Sequence, residues 1–137
     1  MKKLLLFLCL GSIVCGQDLY NWKVTRVVDG DTVEVEVNFL PKELGSKLYV
    51  RIWGVDTPEK GFRAQSEYEA QLGENASMFT KELIINAKEI KINLVMWDKY
   101  GGRVLGDVII DGQSLRKLLL DNGFAREYYG QKKETWE

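Results

Sequence analysis

Hydrophobic and polar positions repeat with two different periods along this chain, and the change of period marks out its elements. Over residues 32–37 the order Thr-Val-Glu-Val-Glu-Val puts valines on one face of a strand and glutamates on the other. Residues 22–28, rich in β-formers, are joined to it by the turn signal Asp29-Gly30-Asp31. After a loop over residues 39–46, Leu48, Val50 and Ile52 share one face of a third strand, and Tyr49, Arg51 and Trp53 take the other. Three such strands in succession predict an antiparallel meander. Thr57-Pro58 ends the third strand, and the polar residues 60–73 read as a loop with a helical turn at 67–72. The spacing then predicts a helix capped by Asn75 and running to about residue 88, with Phe79, Leu83 and Ala87 on one stripe.

Ile90, Ile92 and Leu94 alternate as a fourth strand. Tyr100-Gly101-Gly102-Arg103 turns the chain into a fifth over residues 104–110. Ser114 caps a second helix through Leu115, Leu118 and Leu119, which Gly123 closes. The pattern predicts a mainly β, α+β domain, and the strand count alone leaves open which one.

The N-terminus has its own pattern. Lys2-Lys3 precede an apolar run at 4–14, too short to span a bilayer, and Val14-Cys15-Gly16 ends it on a small residue. Residues 1–16 therefore read as a secretory signal peptide and 17–137 as one mature domain, secreted or periplasmic, with no membrane attachment after cleavage. Both cysteines, Cys9 and Cys15, fall in the leader, so the mature part is expected to lack thiol and disulfide chemistry. Taking Lys2 and Lys3 from the 19 basic residues leaves 17 against 20 acidic ones, net −3. That argues against tight nonspecific holding of long polyanions. With no histidine, acid–base work falls on other side chains.

Three stretches carry candidate chemistry: Val27-Val28-Asp29-Gly30-Asp31-Thr32, Arg51-Ile52-Trp53-Gly54-Val55-Asp56-Thr57-Pro58-Glu59, and Asp98-Lys99-Tyr100-Gly101-Gly102-Arg103. Asp31 and Asp56 offer hard oxygen donors for a cation such as Ca²⁺. An EF-hand is excluded, because the acid it needs at position 40 is Leu40. Glu59 is a carboxylate suited to take a proton from water. Arg51 and Arg103 present guanidinium forks that match phosphate oxygens. Tyr100 and Tyr129 are aromatic surfaces for a base. Taken singly, each has a plain alternative: turn-forming aspartates, solvated charges, edge-packed tyrosines, and an Arg51 paired with Glu34 or Glu36.

Taken together, Arg51, Asp56, Thr57, Glu59, the Asp-Gly-Asp-Thr turn ending in Asp31-Thr32 and the Asp-Lys-Tyr-Gly turn resemble the staphylococcal nuclease (thermonuclease) family from about residue 22 to about residue 130. The resemblance implies a five-stranded OB-fold barrel with two to three helices. It implies a monomeric, Ca²⁺-dependent endonuclease that cleaves DNA and RNA, in single-stranded or flexible regions, by water attack on phosphorus, leaving 3′-phosphate ends. The carry-over makes Arg51, Glu59 and Arg103 catalytic. Asp31, Asp56 and the Thr57 carbonyl become metal ligands, and Lys99, Tyr100 and Tyr129 substrate contacts. The chain departs from the family by one extra glycine before Arg103, a longer 60–73 region, and an ending like that of shorter bacterial members. Arg51, Glu59 and Arg103 lie at strand ends, turns or off the aliphatic face, so truncating each is expected to cost within about 0.5 kcal/mol of stability. The competing reading is a catalytically silent OB-type module that binds single strands or a protein partner.

Overall fold

The computed structural model describes residues 18–137; the expected leader with its two cysteines lies outside the described residues. A short β1 (Leu19–Tyr20) leads almost directly into β2 (Lys23–Asp29), then β3 (Thr32–Glu36) and β4 (Lys47–Ile52). The β2–β3 and β3–β4 pairs are antiparallel, giving the expected meander. After β5 (Val55–Asp56) come α1 (Glu67–Asn86), β6 (Ile90–Trp97), β7 (Arg103–Ile110), β8 (Gln113–Ser114), α2 (Leu115–Asp121) and β9 (Arg126–Glu127).

The sheet runs β1-β6-β7-β4-β3-β2, with β7 parallel to β4. β1 pairs with β6 while β2, just beyond it, pairs with β3. The first extended run thus joins both edges of the sheet and closes it into a small barrel of the OB type. Val33, Val35, Val50, Ile52, Ile92 and Val108 line the interior at 1% exposure or less. Burial of each such side chain contributes about 1.5–3 kcal/mol. Leu115 and Leu119 of α2 complete this core. Ser114 caps α2 through the Lys117 amide. At its other end Gly123, at φ +75°, and Phe124 return their amides to the carbonyls of Leu120 and Leu119, a Schellman ending.

One expectation is corrected. α1 begins after Ser66, not at Asn75: the Ser66 hydroxyl accepts from the Glu69 amide at 3.0 Å, so much of the expected 60–73 loop is helix. Gly73 is tolerated inside the helix because the helix comes very close to the Glu59 backbone there. The glutamate face of β3 is not uniformly open. Glu36 is exposed, whereas Glu34 is buried with Thr25, Lys47 and Arg26 around its carboxylate at 2.9–3.2 Å.

Candidate active site

The barrel register brings the charged residues together. Thr32 on β3 faces Arg51 on β4, and Tyr49, two residues earlier on β4, faces Arg103 on β7. Both arginines therefore stand on the outer face of adjacent strands, near the turn that carries Asp31. The Ile52 amide donates to the Asp31 carbonyl at 2.8 Å and fixes that turn against the end of β4.

Asp31, Asp56 and Thr57 are all buried here. One nitrogen of Arg51, Nη2, lies 3.2 Å from Asp56 Oδ1 and 3.6 Å from Asp31 Oδ2. Asp31 is further held by the Thr57 amide at 3.2 Å and the Thr32 hydroxyl at 3.0 Å. Arg51 pairs with neither Glu34 nor Glu36, and at 19% side-chain exposure it is not the surface arginine the sequence suggested. Burial opposes its charge, but Asp31, Asp56, Asp98 and Glu59 outweigh that and raise its pKa. The expectation that its removal would be nearly neutral for stability is therefore withdrawn.

Glu59 follows two residues after Thr57, with its side chain one-third exposed. Burial raises its pKa, and Asp29 and Asp31 add to the rise, against the pull of Arg63 and Lys133. Arg63 grips Asp29 through both carboxylate oxygens at 2.8 and 2.9 Å and approaches Glu59 at 3.6 Å. A cleft of about 290 Å³ is lined by Asp31, Arg51, Thr57, Glu59, Arg63 and Arg103. Despite the additional glycine, Arg103 thus reaches the same cleft as Arg51. It is steered by an ion pair with Asp98 and lies over the Tyr100 ring at 4.9 Å.

A second hollow of about 340 Å³ adjoins it and includes Lys99, Tyr100, Tyr129 and Trp53 in its walls. Tyr129 packs edge-on to Trp53 at 5.6 Å, and its hydroxyl accepts from Arg116 at 2.6 Å. Its ring is part of the hollow's wall while its oxygen is already engaged.

Asp31 and Asp56, which share one Arg51 nitrogen, are oxygen donors of the kind a hard cation takes. Among the described residues no group of three or more His, Cys, Asp or Glu gathers as a metal site. A hard cation held by these two carboxylates would need its remaining ligands from backbone, water or substrate. Two participants, Lys133 and Glu69, escaped the sequence reading. Lys133 reaches Asp56 at 2.7 Å and Glu59 at 3.9 Å. Glu69 accepts from the Glu59 amide. The spacing Ser66-x-x-Glu69 is a capping signal that could have revealed Glu69; nothing local marks Lys133.

A small OB-type barrel with an acidic, arginine-lined cleft at the end of its sheet defines the class of this protein. The chain belongs to the staphylococcal nuclease family: the model described as staphylococcal nuclease homologue matches residues 49–137. Endonuclease YncB of Bacillus subtilis is 36% identical over 120 residues, covering 85% of this chain and 52% of that protein. The SPbeta prophage-derived endonuclease YokF of the same species is 34% identical over 122 residues, covering 87% and 38%. The thermonuclease of Staphylococcus hyicus is 34% identical over 109 residues, covering 77% and 58%. The chain spans only 38% to 58% of the length of these curated relatives.

Proposed function

We propose that this chain is a secreted, Ca²⁺-dependent nuclease that hydrolyses phosphodiester bonds of DNA and RNA and leaves 3′-phosphate ends. The observation that carries the reading is the convergence of Arg51, Arg103 and Glu59 on one cleft with Asp31 and Thr57. The names of the relatives agree with it.

In this reading Glu59 takes a proton from water as the water oxygen bonds to phosphorus. The bond from phosphorus to the 5′ oxygen breaks, and that oxygen leaves as a hydroxyl after protonation from solvent. Arg51 and Arg103 hold the non-bridging oxygens and stabilise the charge that grows on them. Asp31, Asp56 and the Thr57 carbonyl would hold a Ca²⁺, which would supply further charge neutralisation at the phosphate. Tyr100 and Tyr129 offer ring faces to bases of an unpaired strand, with Lys99 near its backbone.

The test is incubation of the purified protein with single-stranded DNA and RNA, in Ca²⁺ or in chelator. Cleavage in Ca²⁺ that stops in chelator and in Glu59→Gln supports the reading. Binding without cleavage identifies the silent module instead. Intact mass of the exported protein tests the leader: a mass retaining residues 1–16 would remove the secretion part of the proposal.

A further inference from the structure

We propose that Glu69, on the buried face of α1, is the positioning residue for Glu59 and acts through the Glu59 backbone. The inference rests on the reading of Glu59 as the base.

The chain after Thr57 gives Glu59 little support of its own. The single helical turn Gly61–Arg63 buries no residue, and Phe62 is 98% exposed. A loop of this kind holds a side chain in one place only if its backbone is tied down. Glu69 does so at both ends. Its Oε1 accepts from the Glu59 amide at 3.2 Å and its Oε2 from the Gln65 amide at 2.7 Å. Glu69 as a whole is 6% exposed, and its amide in turn donates to the capping hydroxyl of Ser66. An ordinary capping-box glutamate reaches back to the cap residue's own amide. This one spans the loop instead.

One turn further along α1, Gly73 completes the grip. A Cβ there would lie 2.3 Å from the Glu59 carbonyl oxygen and 2.9 Å from that of Pro58. The Glu59 peptide is therefore bonded at its N–H by Glu69 and packed at its carbonyl by the helix backbone. Its side chain is left on the cleft side, 3.6 Å from Arg63 and 3.9 Å from Lys133. The rest of this helix face serves the neighbouring turn: Thr80 donates to the Gly30 carbonyl at 2.7 Å, and Ala76 abuts Gly30. One helix face thus carries the backbones of both acidic segments, so their separation is set by α1.

Two acceptor oxygens are required, because both partners are N–H donors. A glutamine side chain supplies one oxygen and turns an NH₂ toward the other donor. Glu69→Gln therefore keeps the shape and releases one end of the loop. Displacement of a reacting group by about 1 Å costs on the order of 10²-fold.

The experiment is a double-mutant cycle on the full chain with single-stranded DNA and Ca²⁺, reading kcat and KM for wild type, E69Q, E59Q and E69Q/E59Q. E69Q is expected to lower kcat on the order of 10- to 100-fold, with KM within about twofold and Ca²⁺ affinity by calorimetry unchanged. In the E59Q background the same change is expected to add nothing, since there is no base left to place. Glu69→Asp keeps both acceptors and should recover part of the lost kcat; it also serves as the readable variant if E69Q does not fold. Normal kcat in E69Q beside an impaired E59Q overturns the proposal, as does an equal loss in both backgrounds. Full activity in E59Q would instead remove the base reading, and the proposal with it.

Discussion

Lys133 sets its ammonium 2.7 Å from Oδ1 of Asp56, 77 positions earlier in the chain. The same oxygen receives Arg51 at 3.2 Å, so one candidate metal ligand is neutralised by two cations from distant segments. The contact follows from the pairing of β9 with β5, Asp56 opposite Arg126. Arg126, in β9 itself, lies over the Trp136 ring at 3.8 Å and donates to the Thr135 carbonyl, folding the last residues back toward the site.

A divalent ion at Asp56 has to compete with that ammonium. Lys133→Met is therefore expected to bind Ca²⁺ more tightly than the wild type. Lys133 is 43% exposed, and a pair of that kind is worth at most about 1 kcal/mol, so the gain is severalfold rather than large. Calorimetric titration reads it directly. Equal or weaker binding in the variant would show that Lys133 is not a competitor.

Glu34 gives a pH dependence of defined sign. The Thr25 and Lys47 hydrogen bonds outweigh its burial and hold its pKa at about 2, against an ordinary 4.5. The unfolded chain binds this proton more readily, so the stabilisation is complete above about pH 4.5 and drains away as pH falls toward 2. Glu34→Gln should melt below the wild type at neutral pH, and the gap should narrow across that window. A gap that stays constant between those limits contradicts the assignment.

The strands were legible because valine and isoleucine alternate in β3, β4 and β6, and the two-residue period determines which face is buried. The meeting of Arg51 with Arg103 was not, since it depends on the parallel β4–β7 register, which no local pattern encodes. The start of α1 was misplaced because its buried stripe is Glu69, Gly73, Ala76, Ser77 and Thr80, too small and polar to give a hydrophobic signal. That stripe faces backbone rather than the aliphatic core, and only small residues permit the approach. Lys133 stayed hidden because its position is set by the long-range pairing of β9 with β5.

The three candidate catalytic groups should separate in stability while agreeing in activity. Arg51→Ala leaves Asp31 and Asp56 buried without their shared guanidinium. Lys133 remains on Asp56, so the cost is about 2 kcal/mol, below the 3–5 of a fully buried pair. Glu59→Gln, one-third exposed, should cost little stability yet lower turnover about 10²–10⁴-fold. Arg51→Ala and Arg103→Ala should each lose on the order of 10²-fold in turnover. Melts and kinetics on the three variants decide this. Near-normal turnover in Arg103→Ala would pass its role to Arg63, which lines the same cleft.

The Asp31 turn can be loosened without touching a charged group. Thr80 is fully buried, and its hydroxyl gives the Gly30 carbonyl a 2.7 Å hydrogen bond. Thr80→Val keeps the shape but leaves that carbonyl without its donor, at a cost of about 1–3 kcal/mol. The denaturation midpoint should fall with an unchanged slope, because no additional surface becomes exposed. Gly30 directly precedes Asp31, so the same variant should also bind Ca²⁺ more weakly. Lower stability with unaltered Ca²⁺ affinity would mean that the turn is held by the Ile52–Asp31 bond alone, and that α1 carries the Glu59 segment without setting the position of Asp31.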